Sequence, residues 1–202
     1  MSIQPYLVET ETLKIKPLHL TLNRQVLDFC QEMFIYFWVF SFLGHYLELI
    51  WKNFIFKSDW RPIVPTLTPL APPYGLCAVA IIIFVKPFIK KHKFTSFEVF
   101  GLCTLVSGMV EYFCASVIVL IFGHNRFWDY SNELFNINGF VCLRNVITFG
   151  VLTTFFIYCI YPYCDKIFKK LPWYLFKIIF WLTFLTYALD LFFLELRMIF
   201  SY

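Results

Sequence analysis

The sequence predicts an all-α, polytopic membrane protein built as a bundle of five transmembrane helices. Of its 202 residues, 60% are hydrophobic and only 15% are charged, and the mean hydropathy is +0.69. A water-soluble domain of this length has too small an interior to bury so much apolar surface. The apolar residues also fall into five runs of about 20 residues, the length at which an α-helix crosses a bilayer. We therefore expect an integral, multi-pass membrane protein, in the cell membrane if it is prokaryotic.

A polar arm at residues 1–32 precedes the first apolar run and contains neither the apolar core nor the cleavage site of a signal peptide. We expect the first span itself to serve as an uncleaved insertion signal. Within the arm, Leu22, Val26 and Phe29 recur at helical spacing, which predicts a short amphipathic helix on the membrane surface. Residues 33–202 form one predicted transmembrane domain, with spans at about 34–54, 73–89, 97–122, 139–161 and 173–199.

The orientation follows from the basic residues, most of which flank the spans on the side of the N-terminus. Cytoplasmic loops are enriched in Lys and Arg, so we expect the N-terminus in the cytoplasm and, after five spans, the C-terminus outside. The net charge of +4 reflects this bias in short loops beside spans. The expected partner is therefore the lipid bilayer and not a nucleic acid.

Four ionisable residues lie inside the apolar runs, and these are Glu48, Glu111, Arg144 and Asp190. A charge near the bilayer centre costs at least about 2.5 kcal/mol, so each one implies a partner, a hydrated cavity or a functional role. With a rise of about 1.5 Å per residue, all four lie at or above the bilayer centre. One arginine cannot neutralise three carboxylates. We therefore predict a polar pocket in the outer half of the bundle.

Small and polar residues lie on the same helix faces as the charged residues, which supports the prediction of an interior pocket. In the third span, Gly108 and Ala115 share the helix face of Glu111, and such stripes commonly face the interior of a bundle. The alternative interpretation is that the stripes are packing seams and that Arg144 neutralises one carboxylate as a structural contact. The candidate pocket residues are Glu48, Glu111, Arg144, Asp190, His45 and Tyr112.

Two connections on the outer side are also candidates. Residues 60–75 contain five prolines, which exclude a helix, and the uncharged part of this segment either dips into the outer leaflet as a lid or crosses the surface in extended form. Residues 123–139 carry aromatic rings suited to the headgroup level, so they either anchor the interface or close the site from outside, and Gly139 is expected to open the fourth span. The candidates are Pro73, Tyr74, Gly75, Trp128, Asp129, Tyr130, Ser131, Asn136, Asn138 and Gly139.

Several of these motifs, in this order, are similar to those of a known family. They are Gly44 with Glu48, Pro73-Tyr74-Gly75, Glu111-Tyr112, Trp128-Asp129-Tyr130-Ser131, Asn136-Ile137-Asn138-Gly139 and Cys142-Leu143, with Asp190 as a less specific addition. Over about residues 34–165 the chain resembles the bacterial membrane domain known as ABC-transporter type IV, or CmpB-like, which has relatives among small multi-pass animal proteins. His45 stands where the family often has Trp, and Phe140 where it often has Arg. Arg144, one helical turn deeper, is expected to replace that basic residue in effect.

The resemblance implies a permease-like subunit that moves a small polar or amphipathic substrate. The sequence contains no Gly-rich loop ending in Gly-Lys-Ser or Gly-Lys-Thr, so a separate ATPase subunit would have to supply the energy. Because five helices make a narrow bundle, a homodimer is a further expected partner.

Two other interpretations stay open. The buried carboxylates and Arg144 would suit a membrane-embedded enzyme or a lipid-handling protein that acts on a headgroup. An auxiliary assembly subunit is the other alternative. The sequence shows no nucleophile elbow, zinc pattern or metal-carboxylate motif, which argues against an enzyme, and we expect no metal and no cofactor.

Overall fold

The computed structural model describes residues 18–51, 68–125 and 127–200, with the side chains of 25–50, 68–125 and 127–193. These residues contain five helices that are long and apolar enough to cross a membrane, and no strand beyond one isolated bridge between Ile137 and Val141. The helices are α1, Leu18–Trp51; α2, Pro72–Lys91; α3, Ser96–Phe122; α4, Leu143–Lys170; and α5, Trp173–Phe200. The predicted all-α fold with five spans is confirmed.

Helix α1 is longer than the first predicted span. It runs without a break from Leu18 through the residues for which the sequence predicted a separate surface helix. No proline or glycine occurs between Leu18 and Gly44, so no residue interrupts the backbone hydrogen bonds there. Val26 and Phe29 are exposed on this first part of the helix.

Helix α3 has almost the predicted bounds because both of its ends are specified locally. At its start the Thr95 hydroxyl accepts a hydrogen bond from the Glu98 backbone N–H (3.3 Å), and the Glu98 carboxylate accepts one from the Thr95 N–H (2.7 Å). This reciprocal pair is a capping box. At the other end Gly123 has φ 77°, the left-handed conformation that ends many helices and suits glycine.

Helix α4 begins at Leu143, and not at the predicted residue 139. Asn138 and Gly139 have φ values of 55° and 70°, and a right-handed helix excludes this left-handed region. The Gly139 N–H donates to the side-chain oxygen of Asn136 (3.2 Å), which holds both residues in a turn. Gly139 therefore belongs to the loop before α4 and does not open the span.

Helices α2 and α4 each contain one wide, π-helical turn. The turns comprise Ile81–Val85 and Phe156–Ile160. Each ends two residues before a proline, Pro87 in α2 and Pro162 in α4. A proline has no N–H to donate and its ring crowds the preceding turn, so a widened turn lets the helix continue past it.

Helices α1 to α4 supply the core, which includes the fully buried side chains of Tyr36, Ile81, Val99 and Cys103. Helix α5 packs mainly against α1, where Phe34 meets the rings of Phe180 and Phe184 at centroid distances of 5.9 and 5.7 Å. The two ends of the bundle differ in chemistry. We call the end that carries Lys90, Lys91, Lys169 and Lys170 the lysine end, and the end at which residues 127–142 connect α3 to α4 the loop end.

Candidate functional site

Glu111 of α3 is buried near the loop end of the bundle, with only 4% of its surface exposed. Its Oε1 atom accepts a hydrogen bond from the side-chain amide of Asn145, the third residue of α4. Its Oε2 atom is fully buried and forms no hydrogen bond with a described residue, while the Tyr130 hydroxyl interacts with the same carboxylate group. A buried acceptor without a donor costs free energy, so the burial of this carboxylate is unfavourable in the empty site.

Asn145 also connects Glu111 to the loop. Its amide nitrogen donates to the hydroxyl oxygen of Tyr130 at 3.0 Å. Burial, and after it the negative charge of Glu111, raises the pKa of Tyr130 well above its usual range, and Glu48 adds to the same shift. Tyr130 therefore stays a neutral phenol that can donate a hydrogen bond, and both glutamates lie within electrostatic reach of it.

Tyr74 lies between α1 and α4, close to this cluster. It is the third residue of α2, whose first turn contains Pro72 and Pro73 at positions that need no N–H donor. Its ring packs on Phe149 at a centroid distance of 5.2 Å. On the other side it fills the space next to Gly44, where an added Cβ would overlap the ring.

The remaining candidates on α1 and α2 lie in packing contacts between helices or are partly buried along α1. Gly75 lies against the Phe37 carbonyl and the Ser41 hydroxyl, so any side chain there would clash with α1. Glu48 is half-buried, one turn beyond Gly44. His45 is buried, with its ring edge-on to Tyr46 at 5.7 Å.

The loop residues that the sequence identified hold Tyr130 in place. Asp129 accepts hydrogen bonds from the hydroxyl (2.5 Å) and the N–H (2.9 Å) of Ser131, and these bonds lower the pKa of Asp129 below its usual value. The Tyr130 N–H donates to the Gly139 carbonyl at 2.9 Å. A side chain on Gly139 would place its Cβ 2.5 Å from the Ser131 hydroxyl, so only glycine fits this position without a shift.

Three further side chains stabilise the same loop, and one of them attaches it to α3. Asn136 donates through its amide to the Ser131 and Glu133 carbonyls. Trp128 donates from its indole N–H to the Phe140 carbonyl (2.9 Å). Asn138 donates to the Tyr112 hydroxyl on α3 (2.9 Å). These loop candidates position the site, whereas Tyr130 is the loop side chain that contacts the Asn145–Glu111 pair.

The structure gives two of the four predicted pocket charges other partners. Arg144 is half-exposed and forms an ion pair with Glu133 of the loop at 2.9 Å. Asp190 of α5 is buried and accepts hydrogen bonds from the backbone N–H (3.0 Å) and the hydroxyl of Thr68. The cluster around Tyr130 therefore contains Glu111 and Glu48. Arg144 attaches the loop before α4, and Asp190 attaches the proline-rich connection.

The proline-rich connection is described only from Thr68 onward. Its last residues are buried against α1, where the Ala71 N–H donates to the Ser41 carbonyl at 2.9 Å. Helix α2 thus begins alongside the middle part of α1. Most of the segment for which the sequence allowed a lid lies outside the described residues.

A groove runs beside the Glu111 cluster, between α1 and α4. Its larger part has a volume of about 250 Å³ and is apolar, and its smaller part of about 130 Å³ includes Asn145 and Thr148. Leu47, Tyr74, Phe149 and Leu152 line both parts, so the two cavities form one continuous groove. The polar part of the groove thus ends at the amide that binds Glu111.

Metal binding finds no support at this site. Across residues 18–51, 68–125 and 127–200, no three His, Cys, Asp or Glu side chains are placed to hold a metal ion together. The chemistry that the site offers is instead a pair of carboxylates, a neutral phenol and an amide beside an apolar groove.

Asn145 is the site residue that the sequence did not single out. It stands next to Arg144, and an uncharged amide inside a span is a weaker signal than a formal charge. An available signal was its position in the first turn of the fourth span, at the same end of the bundle as Glu111 and the loop.

Comparison with known proteins identifies one family. The family model described as "Putative ABC-transporter type IV" matches residues 35–194. The match covers α2 to α4 completely and reaches far enough into α5 to include Asp190. Comparison with curated proteins and with solved structures gave no match.

Proposed function

This chain belongs to the ABC-transporter type IV (CmpB) family, and we propose that it is a permease-like membrane subunit that moves a small polar or amphipathic substrate. The observation that supports this proposal is the unsatisfied Oε2 atom of Glu111 beside the groove between α1 and α4. A substrate with a hydrogen-bond donor would satisfy that atom, and the hydrogen bond would contribute to substrate binding.

The energy for transport would come from a separate ATPase, because the sequence has no nucleotide-binding loop. The lysine end is the surface that we assign to that partner. With the N-terminus in the cytoplasm, the short connections at 92–95 and 171–172 face the compartment that contains ATP.

A second copy of the chain would complete the transport path. Among the described helices α1, α2 and α4 line the groove, while its open side carries the half-exposed side chains of Leu43 and Phe155. A homodimer would bring two such grooves together, while the opening beside Leu43 and Phe155 stays free for a substrate to enter.

The test is purification of the tagged, full-length chain from its native membrane in a mild detergent, followed by mass spectrometry and an ATPase assay. We expect a co-purifying protein that carries a nucleotide-binding loop, in fixed stoichiometry. We also expect Glu111→Gln to reduce the ATP hydrolysis of this complex at least about tenfold, because a charged hydrogen-bond partner contributes about 1.5 to 3 kcal/mol.

The matched control is Glu98→Gln on the same helix. Glu98 is exposed and caps the helix, and glutamine keeps that capping function. Equal activity of the two variants would contradict a transport role for Glu111. A chain that purifies without any ATPase would contradict the permease-subunit proposal itself.

A further inference from the structure

The larger part of the groove has the shape and chemistry of a site for one hydrocarbon chain. Its volume of about 250 Å³ corresponds to roughly eight groups of the size of a water molecule, each of about 30 Å³, and a methylene group is of similar size. The lining includes Leu47, Leu152 and Phe156 and offers almost no polar surface. This space takes about half the length of a membrane lipid's acyl chain, so one chain enters it in part and two do not.

The groove is open towards the bilayer. Leu43 and Phe155, on either side of the opening, expose 50% and 57% of their surfaces, as lipid-facing residues do. A molecule dissolved in the bilayer would enter sideways without crossing water. Lipid tails are as apolar as leucine, so the groove alone would not select one lipid from another. Selection must come from the polar end.

The polar end of the groove is complementary to a positive charge. Asn145 lines it, with Glu111 directly behind, and the charge of Glu48 acts on the same Tyr130 hydroxyl. The cation nearest in the sequence, Arg144, is paired with Glu133 of the loop. An anionic headgroup would be repelled here, whereas a group with N–H donors and a positive charge would be attracted.

We propose that this groove binds one acyl chain of a membrane lipid with a primary ammonium headgroup, and that the ammonium group reaches the Oε2 atom of Glu111. This inference rests on the proposed function, since it names the substrate class of the same site. A primary ammonium group is favoured over a choline group because Oε2 needs a hydrogen-bond donor, and a quaternary ammonium has none. Asn145 stands between the groove and Glu111, so its amide must turn aside when the headgroup binds.

The experiment uses the purified full-length chain in liposomes that contain phosphatidylethanolamine, phosphatidylcholine and phosphatidylglycerol in equal parts. Each lipid in turn carries a photoactivatable acyl chain, and mass spectrometry locates the cross-links. We expect phosphatidylethanolamine to label the groove residues of α1 and α4 about tenfold more than the other two lipids, as expected for one charge-assisted hydrogen bond. Equal labelling by all three lipids would overturn the proposal.

Two variants separate the acyl-chain site from the headgroup site. Leu47→Trp fills the groove, and we expect it to abolish labelling by every lipid, whereas Leu105→Trp on the exposed face of α3 leaves labelling unchanged. Glu111→Gln keeps the groove, and we expect equal labelling by the three lipids. Leu43→Trp provides a second groove-filling variant should Leu47→Trp fail to fold. Unchanged labelling in a folded groove-filling variant would contradict the proposal.

The outcomes also separate this inference from the permease proposal, because the labelling needs no ATPase. Selective labelling in a chain that purifies without an ATPase would leave the lipid site intact and refute the permease subunit. An ATPase complex that depends on Glu111 but labels the three lipids equally would retain the permease and refute the lipid as its substrate.

Discussion

The ammonium group of Lys86 on α2 lies over the ring of Tyr161 on α4, 4.2 Å from its centroid, and donates a hydrogen bond to the Tyr161 hydroxyl. Each of these residues follows a π-helical turn and precedes a proline. The Tyr161 hydroxyl donates in turn to Asp165 (3.3 Å), which also pairs with Lys169 (2.5 Å). Hydrogen-bonded polar side chains therefore join α2 and α4, the two helices with a π-helical turn, near the lysine end. The Glu111 cluster lies at the opposite end of the bundle.

Removal of the Tyr161 hydroxyl should weaken this junction. We expect Tyr161→Phe to lower the free energy of unfolding by about 1 to 3 kcal/mol, because Lys86 and Asp165 lose their shared partner while the ring contact remains. Thermal unfolding in detergent, followed by circular dichroism, measures the change. Tyr163→Phe, on the exposed side of the same helix, should stay within about 0.5 kcal/mol of the parent protein. Equal losses in both variants would contradict the prediction.

The close approach of α1 and α2 should depend on Gly44. A methyl group on Gly44 overlaps the Tyr74 ring, so Gly44→Ala must push Tyr74 from its place beside Phe149. We expect a loss of about 1 to 3 kcal/mol, as for overpacking in a core. Denaturant titration of the purified protein provides the measurement.

Gly101→Ala is the matched control for that substitution. Gly101 also lies within a helix but has no atom within 4 Å of an added Cβ. The alanine should leave stability unchanged or raise it by up to about 1 kcal/mol through helix propensity. Should both alanine variants behave alike, the contact between Gly44 and Tyr74 would not be the source of the effect.

The loop that carries Tyr130 should loosen in acid. The hydroxyl and the N–H of Ser131 hold the pKa of Asp129 below its usual 3.8. A carboxyl whose pKa is lower in the folded state stabilises that state above its usual pKa, and the stabilisation is lost as pH falls through the folded pKa. We expect the hydrogen-exchange protection factor of the Ser131 amide to fall as pH decreases below 3.8.

Asp129→Asn is the reference for that titration, because asparagine can accept the same bonds but does not ionise. In this variant the protection of Ser131 should be lower and should not follow the carboxyl titration. A parent protein whose Ser131 protection stays constant through the acid range would show that the Asp129 charge does not stabilise the loop.

The contact between Thr68 and Asp190 should determine how firmly α5 is held. Thr68→Val removes one of the two hydrogen bonds to a buried carboxylate, and we expect a loss of about 1 to 3 kcal/mol together with faster hydrogen exchange along α5. In the control, Thr186→Val, the hydroxyl lost bonds only to a carbonyl of its own helix. If hydrogen exchange along α5 became faster only in Thr186→Val, the stability of α5 would depend on its own backbone contacts and not on the bond to Thr68.

The positions of the spans could be predicted because each depends on local sequence. A run of apolar residues of spanning length is sufficient evidence for a helix in a membrane. The bounds of α3 were almost correct because Thr95, Glu98 and Gly123 specify its ends. The start of α4 was missed because the left-handed turn at Asn138 and Gly139 depends on a hydrogen bond to Asn136, which composition does not reveal.

The partners of the charges could not be predicted, because helical periodicity gives the face of a helix but not its rotation against its neighbours. Arg144 finds its partner in the loop before α4, and Asp190 finds its partner in the proline-rich connection. Both contacts depend on where irregular segments return to the bundle. Glu111 is buried, whereas Arg144, singled out on the same ground, is half-exposed, and the role of either residue in a pocket stays a prediction.

The bond between Thr68 and Asp190 also bears on the order in which the protein is made. The two residues are 122 positions apart, so at about 5 to 20 residues per second a ribosome needs roughly 6 to 24 s to reach the second after the first. Throughout that interval the proline-rich connection lacks its bonds to Asp190 and contacts α1 through Ala71 and Ser41. Helix α5 is therefore the last of the five helices that can join the bundle, and the bond to Thr68 can form only after the other four have been made.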